Sequence, residues 1–296
     1  MRKFLFATLC LAVTTLVAEE NKFKDVEFTS SMVSDGIYML QGAGGNVGLS
    51  VGEDGVLLID DDYAELSEKL KKAVAEITDS PVRFVLNTHW HFDHSGGNET
   101  FGKHGATIVA HDNVHKRMSV DTEIKPFGQI VPASPDIALP VITFNDRMTF
   151  HLNGEEIQVF YAGNAHTDGD SAVYFVESNV IHTGDVYSSD RYPFIDTNAN
   201  GSIDGMILAV EKLLKVVDAR TKIIPGHGPI SSKQDLNAYL ENLKTFRSRM
   251  QKLIDEGKTM DEAVALKPYA DFDPELGNGF LSPEAFIKVM YFNLSQ

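Results

Sequence analysis

Short apolar runs recur along the chain and alternate with longer stretches in which apolar residues return every three or four positions. The short runs predict β-strands, and the longer stretches, such as the one containing Leu66, Leu70 and Val74, predict helices. Strands are predicted at residues 37–41, 47–51, 56–60, 83–87, 107–110, 148–152, 156–161, 172–176, 180–182 and 222–225. Helices are predicted at residues 63–77, 203–217, 232–256, 259–266 and 283–294. This alternation predicts an α/β protein.

Residues 121–140 form the least regular stretch of the sequence. They include Pro126, Pro132, Pro135 and Pro140, which favour a long loop. We expect this loop to join two halves of one domain, because no composition change or repeat marks a domain boundary. Residues 19–296 are therefore predicted to form a single domain, with the helices of residues 232–294 packed on it.

The N-terminus has the pattern of a secretory signal peptide. Arg2 and Lys3 precede an apolar segment over residues 4–17, which Ala18 closes. The segment is short for a membrane span, and Leu9 before Cys10 is a poor lipoprotein context, so we expect cleavage near Ala18 and no stable membrane anchor. The mature protein is then predicted to be periplasmic or secreted.

Charge and cysteine content narrow the function further. The formal net charge is −16, and removal of residues 1–18 would leave 24 basic and 42 acidic residues, a charge of −18. A nucleic-acid partner is not expected for so acidic a protein. Cys10 is the single cysteine of the chain, so the mature protein would have no disulfide and no thiolate ligand.

The densest chemistry lies directly after the predicted strand at residues 83–87. Four metal-binding side chains fall within six residues there, in the order His89, His91, Asp93 and His94. Imidazole and carboxylate groups together suit zinc. A solvated polar loop is the alternative interpretation of the same segment.

Three further candidate ligands stand where other predicted strands end in turns: His166, Asp185 and His227. One edge of a sheet could collect them with the first four. Glycines beside Asp185 and His227 allow tight turns that direct these side chains into a shared cleft.

The order of these motifs resembles the metallo-β-lactamase superfamily over roughly residues 25–230. The resemblance implies an αββα sandwich of two βα halves, with two zinc ions per chain at one edge between the sheets. It assigns one zinc to His89, His91 and His166, the other to Asp93, His94 and His227, and a bridging position to Asp185. The full set is most similar to the glyoxalase II and lactonase branch. Ser188 stands where β-lactamases of this superfamily use a lysine for the substrate carboxylate.

The implied activity is a metal-dependent hydrolase acting on a small carbonyl substrate through a zinc-bound hydroxide, with Asp93 as catalytic residue. The leading expectation is a β-lactamase-like enzyme that opens a cyclic amide or ester. A lactonase or a glyoxalase II-like thioesterase is the close alternative. Two alternatives from other classes are a non-hydrolytic di-iron redox protein and a metal-binding protein without catalysis.

Other polar residues have less specific interpretations. Arg191, Tyr192 and Asn200 are candidates for substrate binding, and the loops at residues 121–140 and 184–202 would shape specificity. Residues 196–204 imitate part of a calcium loop, but Ile207 stands where its glutamate belongs, and we favour a turn that caps the following helix. The remaining candidates are expected to support ligands, to form turns or to be structural or exposed: Asp168, Asp170, His182, His104, His111, His115 and His151.

Overall fold

The computed structural model describes residues 22–124 and 129–296. The predicted signal peptide, residues 1–18, lies outside the described residues. Two mixed β-sheets pack face to face in the described part of the chain, and helices cover the outer face of each sheet. This is the αββα arrangement that the resemblance to the metallo-β-lactamase superfamily implies.

The first sheet has seven strands in the order β1-β2-β3-β4-β5-β6-β9. The strands β1 to β4 pair antiparallel, whereas β4, β5, β6 and β9 pair parallel. The strand bounds are β1 (Thr29–Ser34), β2 (Ile37–Gln41), β3 (Val47–Gly52), β4 (Gly55–Ile59), β5 (Val82–Asn87), β6 (Thr107–His111) and β9 (Ile142–Phe144).

The second sheet has five strands in the order β10-β11-β12-β13-β14. Its strands pair antiparallel except for β13 and β14, which run parallel. The bounds are β10 (Arg147–Leu152), β11 (Glu155–Gly163), β12 (Asp170–Phe175), β13 (Val180–His182) and β14 (Lys222–Ile224). A separate hairpin of β7 (Thr122–Ile124) and β8 (Gln129–Val131) lies within the predicted loop of residues 121–140.

The helices follow the predicted pattern and add several short ones. Their bounds are α1 (Ser67–Ala75), α2 (Phe92–Ser95), α3 (Asn98–Lys103), α4 (Asp112–Met118), α5 (Ile203–Val216), α6 (Lys233–Asp255), α7 (Met260–Leu266), α8 (Asp273–Leu276) and α9 (Pro283–Leu294). Serine hydroxyls fix the starts of α5, α6 and α9 by accepting a backbone N–H of the first turn. None of the helices in the described part is long and apolar enough to cross a membrane.

The three largest apolar clusters of the described residues lie between the sheets and on their outer faces. Buried residues such as Leu57 and Ile59 of the first sheet face Val159 and Val173 of the second. A second layer packs α1 and α3 under the outer face of the first sheet. The largest layer packs α5, α6 and α9 against the outer face of the second sheet, so the C-terminal helices join the core of the fold.

The topology brings several strand ends to one edge. β13 and β14 are parallel, and β11 points the same way because two antiparallel pairings separate it from β13. The carboxyl ends of β11, β13 and β14 therefore meet at one edge of the second sheet, opposite the carboxyl end of β5 in the first sheet. The candidate ligands of the sequence follow these four strands.

Candidate metal centre

Three histidines converge after β5 and β11. His89, His91 and His166 are all buried, and each offers a ring nitrogen within 4.8 Å of the other two. The closest approach joins His91 Nδ1 and His166 Nε2, which lie 2.8 Å apart. The structure thus brings the first predicted triad together.

A second group forms beside the first, around the start of α2 and the turn after β14. Asp93, His94 and His227 offer ligand atoms within 4.8 Å of one another. His94 Nε2 lies 3.3 Å from His227 Nε2, and Asp93 Oδ2 lies 3.4 Å from the same His227 nitrogen.

Asp185 stands between the two groups. Its Oδ1 is 3.2 Å from His94 Nε2, and its Oδ2 is 3.4 Å from His227 Nε2 and 3.6 Å from His166 Nε2. One carboxylate thus faces members of both groups, as a bridging ligand requires.

Three of the histidines, His91, His94 and His166, are oriented by an acceptor at the ring nitrogen that points away from the centre. His91 Nε2 lies 3.0 Å from Asp196 Oδ2, and His94 Nδ1 lies 2.8 Å from Asp60 Oδ2. The Nδ1 of His166 donates to the carbonyl oxygen of Phe194 over 2.7 Å. Because these partners accept hydrogen bonds, the outer nitrogens carry protons and the inner nitrogens of the neutral rings offer lone pairs.

The tautomer of His89 is set by the hydroxyl group of Thr88, which has a single proton to donate. Thr88 Oγ1 donates that proton to Asp60 Oδ2 over 2.7 Å, so it can only accept from His89 Nδ1, 3.0 Å away. His89 Nε2 then carries a lone pair, and this buried atom has no hydrogen-bond partner in the described part of the chain. A buried, unsatisfied lone pair aimed at other donors fits a divalent cation.

Charges within the cluster oppose the effect of burial. Burial lowers the pKa of His227, but Asp185 and Asp93 outweigh it and raise the pKa to about 9. Burial raises the pKa of Asp185, yet His227 and His94 hold it well below its ordinary value. Burial and the neighbouring His91 lower the pKa of His166 to about 4. Protons therefore balance the carboxylates in the second group, and a bound cation would take their place.

Glycines provide the tight packing around Asp185. Gly184 has a φ of 50°, a left-handed conformation that favours glycine, and it lies against Thr88. A Cβ at Gly226 would overlap Asp185 Oδ1. The predicted role of glycines beside these ligands is thus confirmed by the backbone.

Comparison with known proteins identifies the family. The sequence model of the metallo-beta-lactamase superfamily matches residues 41–228, a range that includes all seven converging donors. The chain belongs to the metallo-β-lactamase superfamily. The resemblance and the fold class expected from the sequence are confirmed, and membership makes the chain a metal-dependent hydrolase of this fold.

Several relatives in the superfamily are distant in sequence. The chain is 20% identical to the metallo-beta-lactamase type 2 of Bacteroides fragilis over 256 residues, which cover 81% of this chain and 97% of that protein. It is 27% identical to the hydroxyacylglutathione hydrolase of Pelagibacter ubique over 147 residues, covering 49% of this chain and 52% of that protein. The fold matches the metallo-beta-lactamase from Pontibacter korlensis with a TM-score of 0.60 at 19% identity, covering 74% of this chain and 99% of that chain.

The three predicted substrate-binding residues occupy different environments. Arg191 is partly buried, with Nε 2.7 Å from Asp190 Oδ1. It also lies close enough to Tyr63 to affect that side chain: burial and the Asp93 charge raise the pKa of Tyr63, and the Arg191 charge lowers it. Asn200 is exposed, and its amide donates to Asp168 Oδ2 over 2.8 Å. Both remain predictions.

Tyr192 requires a correction. Its side chain is 1% exposed and stacks on Phe286 of α9 with ring centroids 4.2 Å apart. Its hydroxyl donates to Asp273 Oδ1 over 2.7 Å. The ring therefore belongs to the core beneath the C-terminal helices, and burial leaves no surface of it for a substrate.

Neighbouring polar residues support turns. Asp170 accepts the backbone N–H of His166 over 2.6 Å, and Asp168 forms a bidentate pair with Arg117 at 2.6 Å for both bonds. Nδ1 of His182 accepts the N–H of Gly184 over 3.2 Å, before Asp185.

The calcium-like segment is part of the metal centre's support. Asp196 accepts the N–H groups of Asn198 and Ala199 through Oδ1 while its Oδ2 faces His91. Ser202 caps α5 by accepting from Gly205 N, which confirms the favoured interpretation of a capping turn. The four histidines without a partner motif lie in structural or exposed positions, as predicted: His104, His111, His115 and His151.

Sequence reasoning missed Asp60, which connects the two groups of ligands. It is fully buried with a φ of 64°, and its carboxylate accepts from Thr88 N and Thr88 Oγ1 and faces His94 Nδ1. The available signal was a run of three aspartates directly after a fully buried strand, a place where charged side chains need partners.

Proposed function

We propose that this chain is a zinc-dependent hydrolase, similar to β-lactamases, that opens a small cyclic amide or ester. The observation that carries the proposal is the convergence of seven donors in two groups with Asp185 between them. Tetrahedral zinc takes about four ligands, so seven protein donors suit two ions better than one.

The residues divide naturally between two ions. His89, His91 and His166 would hold one zinc, and Asp93, His94 and His227 would hold the other. Asp185 would be a ligand of both. Two such ions would activate a water at neutral pH and polarise the scissile carbonyl.

Asp93 is the residue of this set best placed for proton transfer. Its side chain is 21% exposed, whereas that of His94 is fully buried, so the Asp93 carboxylate lines the open side of the centre. It would orient the attacking water and accept its proton. As the carbonyl carbon gains the oxygen and its bond to nitrogen or oxygen breaks, Asp93 would return the proton to the departing atom.

A lactonase or thioesterase is the second candidate, and two observations favour it. Ser188 has an uncharged side chain where related β-lactamases use a lysine, so it supplies no cation for a β-lactam carboxylate. The local match to a hydroxyacylglutathione hydrolase points to a thioester, although it covers only 52% of that relative.

A substrate panel decides between these candidates. We expect the zinc-loaded protein to hydrolyse at least one of a penicillin, an N-acyl homoserine lactone and a hydroxyacyl thioester, and a chelator to abolish the activity. Asp93→Asn should lower kcat by about 10²- to 10⁴-fold, whereas Asp261→Asn, at an exposed position on α7, should not. Absence of turnover on all three classes, or turnover that survives metal removal, would contradict the proposal.

We also infer that the protein is exported and processed near Ala18. N-terminal sequencing of protein recovered from the periplasm or the medium should find a start near Glu19. An intact Met1 in the cytoplasmic fraction would refute export.

A further inference from the structure

Residues 22–26, which we call the N-terminal strap, are fixed against α1 by one lysine. The ammonium group of Lys69 donates to three carbonyl oxygens of the strap, at 3.2 Å for Phe23, 2.7 Å for Lys24 and 2.6 Å for Val26. An ammonium group has three protons, so this single side chain satisfies all three carbonyls. The superfamily match begins after the strap, at residue 41.

The strap places an aromatic ring on a wall that leads to the metal centre. The ring centroid of Phe23 lies 4.9 Å from that of Tyr63, which in turn lies 5.7 Å from that of Phe92. Phe92 is 48% exposed and directly precedes Asp93, whose carboxylate lines the open side of the centre. The three rings, which we call the aromatic wall, therefore extend from the strap to the open side of the metal centre.

The hydroxyl of Tyr63 is placed to contact a ligand. Burial and the charges of Asp93, Asp62 and Glu65 raise its pKa, so the phenol keeps its proton at neutral pH. The charge of Arg191 lowers the pKa, so the hydroxyl lies within electrostatic reach of both Asp93 and Arg191. Among the described residues, no atom accepts a hydrogen bond from this hydroxyl. The proton of Tyr63 is therefore available to a substrate.

A carboxylate is the substrate group that best fits this position. It accepts hydrogen bonds from a phenol and from a guanidinium group, and such charge-assisted bonds are about twice as strong as bonds between neutral groups. The Lys22 ammonium adds a positive charge beside the wall, with Nζ 5.7 Å from the centroid of the Tyr63 ring. A zinc ion at the centre would offset the negative charge of Asp93 on the same side.

We propose that Tyr63 is a substrate-binding residue whose hydroxyl donates to a carboxylate oxygen of the substrate beside Arg191, and that the N-terminal strap positions it through Phe23. The substrate class is then a cyclic amide or ester, or a thioester, that carries a carboxylate. This inference rests on the proposed function for the presence of a substrate, but binding of the carboxylate is measurable without turnover.

The test compares 3-mercaptopropionate with its methyl ester as probes of the zinc-loaded full chain. Both probes offer a thiol for zinc, and only the acid has a free carboxylate. Calorimetry gives the two dissociation constants, and the ratio of ester to acid is compared between each variant and wild type, so that the intrinsic difference between the thiols cancels.

Tyr63→Phe should lower this ratio about tenfold, because the charged carboxylate loses one hydrogen-bond donor. The affinity for the ester and the zinc content should stay unchanged. The matched control is Tyr174→Phe, which removes a hydroxyl that donates to Asn179 at the end of β12 away from the metal centre. Its ratio should equal that of wild type.

Two variants test the strap itself. Phe23→Ala removes the ring that packs on Tyr63, and Lys69→Met removes the donor to the three carbonyls. Each should lower the ratio by about threefold or more, because a displaced hydroxyl loses its alignment with the carboxylate. Phe23→Tyr keeps the ring and should retain the wild-type ratio. The control on the same helix is Lys71→Met, at a lysine that pairs with Glu68, and it should also leave the ratio unchanged.

A ratio that Tyr63→Phe leaves at the wild-type value would overturn the contact with the carboxylate. A ratio that neither Phe23→Ala nor Lys69→Met changes would overturn the role of the strap. Failure of the proposed function gives a different result. A protein whose ratio depends on Tyr63 but that hydrolyses none of the substrate panel would retain the binding assignment and lose the hydrolase assignment. Hydrolysis of the panel with a ratio independent of Tyr63 would do the reverse.

Discussion

Several side chains around the metal centre use one polar atom to face the centre or a ligand and another to contact a supporting residue. His94 faces the centre with Nε2 while Asp60 holds Nδ1, and Asp60 also accepts from Thr88, which orients His89. A single buried carboxylate thus aligns one member of each group of donors. Such support fixes ring orientation and tautomer, which is why replacing it costs metal affinity as well as stability.

Asp185 is the residue whose charge matters most for two-metal binding. We expect Asp185→Asn to weaken the association of the two ions, because a neutral amide is a poor bridge between cations. Turnover should fall by about 10-fold to 100-fold. The urea midpoint of the zinc-loaded protein should change little. Measured kcat equal to wild type would remove Asp185 from the centre of the mechanism.

Arg191 is the candidate for gripping an anionic substrate. An arginine–carboxylate contact made equally in the ground and transition states lowers KM without changing kcat. We expect Arg191→Ala to raise KM for an anionic β-lactam or lactone about tenfold and to leave a neutral ester unaffected.

The matched control is Arg220→Ala, at an arginine whose side chain is 88% exposed and paired with Asp218. If Arg191→Ala and Arg220→Ala handle anionic and neutral substrates in the same ratio, Arg191 makes no contact with the substrate.

Among the elements, strong apolar patterns predicted strands and helices well. The strands β2 and β13 and the helix α9 have the predicted bounds. By contrast, β1 was missed because its sequence, TSSMVS, is largely exposed and shows no apolar alternation. The helices α2 and α3 are too short to show a helical period.

The site residues lie in loops at the sheet edges, and the sequence reveals only those contacts that are close together along the chain. The spacing of His89, His91, Asp93 and His94 is local and was recognised from the sequence. The carbonyl of Phe194 that accepts from His166 was not, because every residue has a carbonyl and 28 positions separate the two. Contacts across the fold depend on tertiary structure, which no local pattern encodes.

Asn46 connects the loop after β2 with the turn that carries His227. Its side-chain amide donates to the carbonyls of Pro225 and Gly228 over 2.8 and 2.9 Å, and the residue is buried. We expect Asn46→Ala to lower the free energy of unfolding by about 2 kcal/mol, because the buried carbonyl of Pro225 and the partly buried carbonyl of Gly228 each lose a donor.

Urea unfolding of the metal-free protein measures this effect. The control is Asn237→Ala on α6, whose amide donates to Lys233 O in its own helix at an exposed position; its effect should stay within about 0.5 kcal/mol. Equal effects of the two variants would show that Asn46 does not hold the loops together.

At the scale of the whole molecule, the metal centre joins the two halves of the fold. Residues after β5 of the first sheet and residues after β11, β13 and β14 of the second would share the same ions. Metal binding to the native state alone stabilises it by mass action.

Chelation should therefore lower the melting temperature of the entire domain in one cooperative transition. At free zinc 100-fold above the dissociation constant, the stabilisation per site is about 2.7 kcal/mol. Calorimetry of the chelated and zinc-loaded protein measures the difference, and identical melting temperatures would show that metal does not join the halves.

Metal stoichiometry measures whether the seven donors hold two zinc ions. Elemental analysis of the purified protein should find two zinc ions per chain, and His227→Ala, which removes a donor of the second group, should retain about one. A stoichiometry of one that His227→Ala leaves unchanged, or iron as the main metal, would show that these donors do not hold two zinc ions.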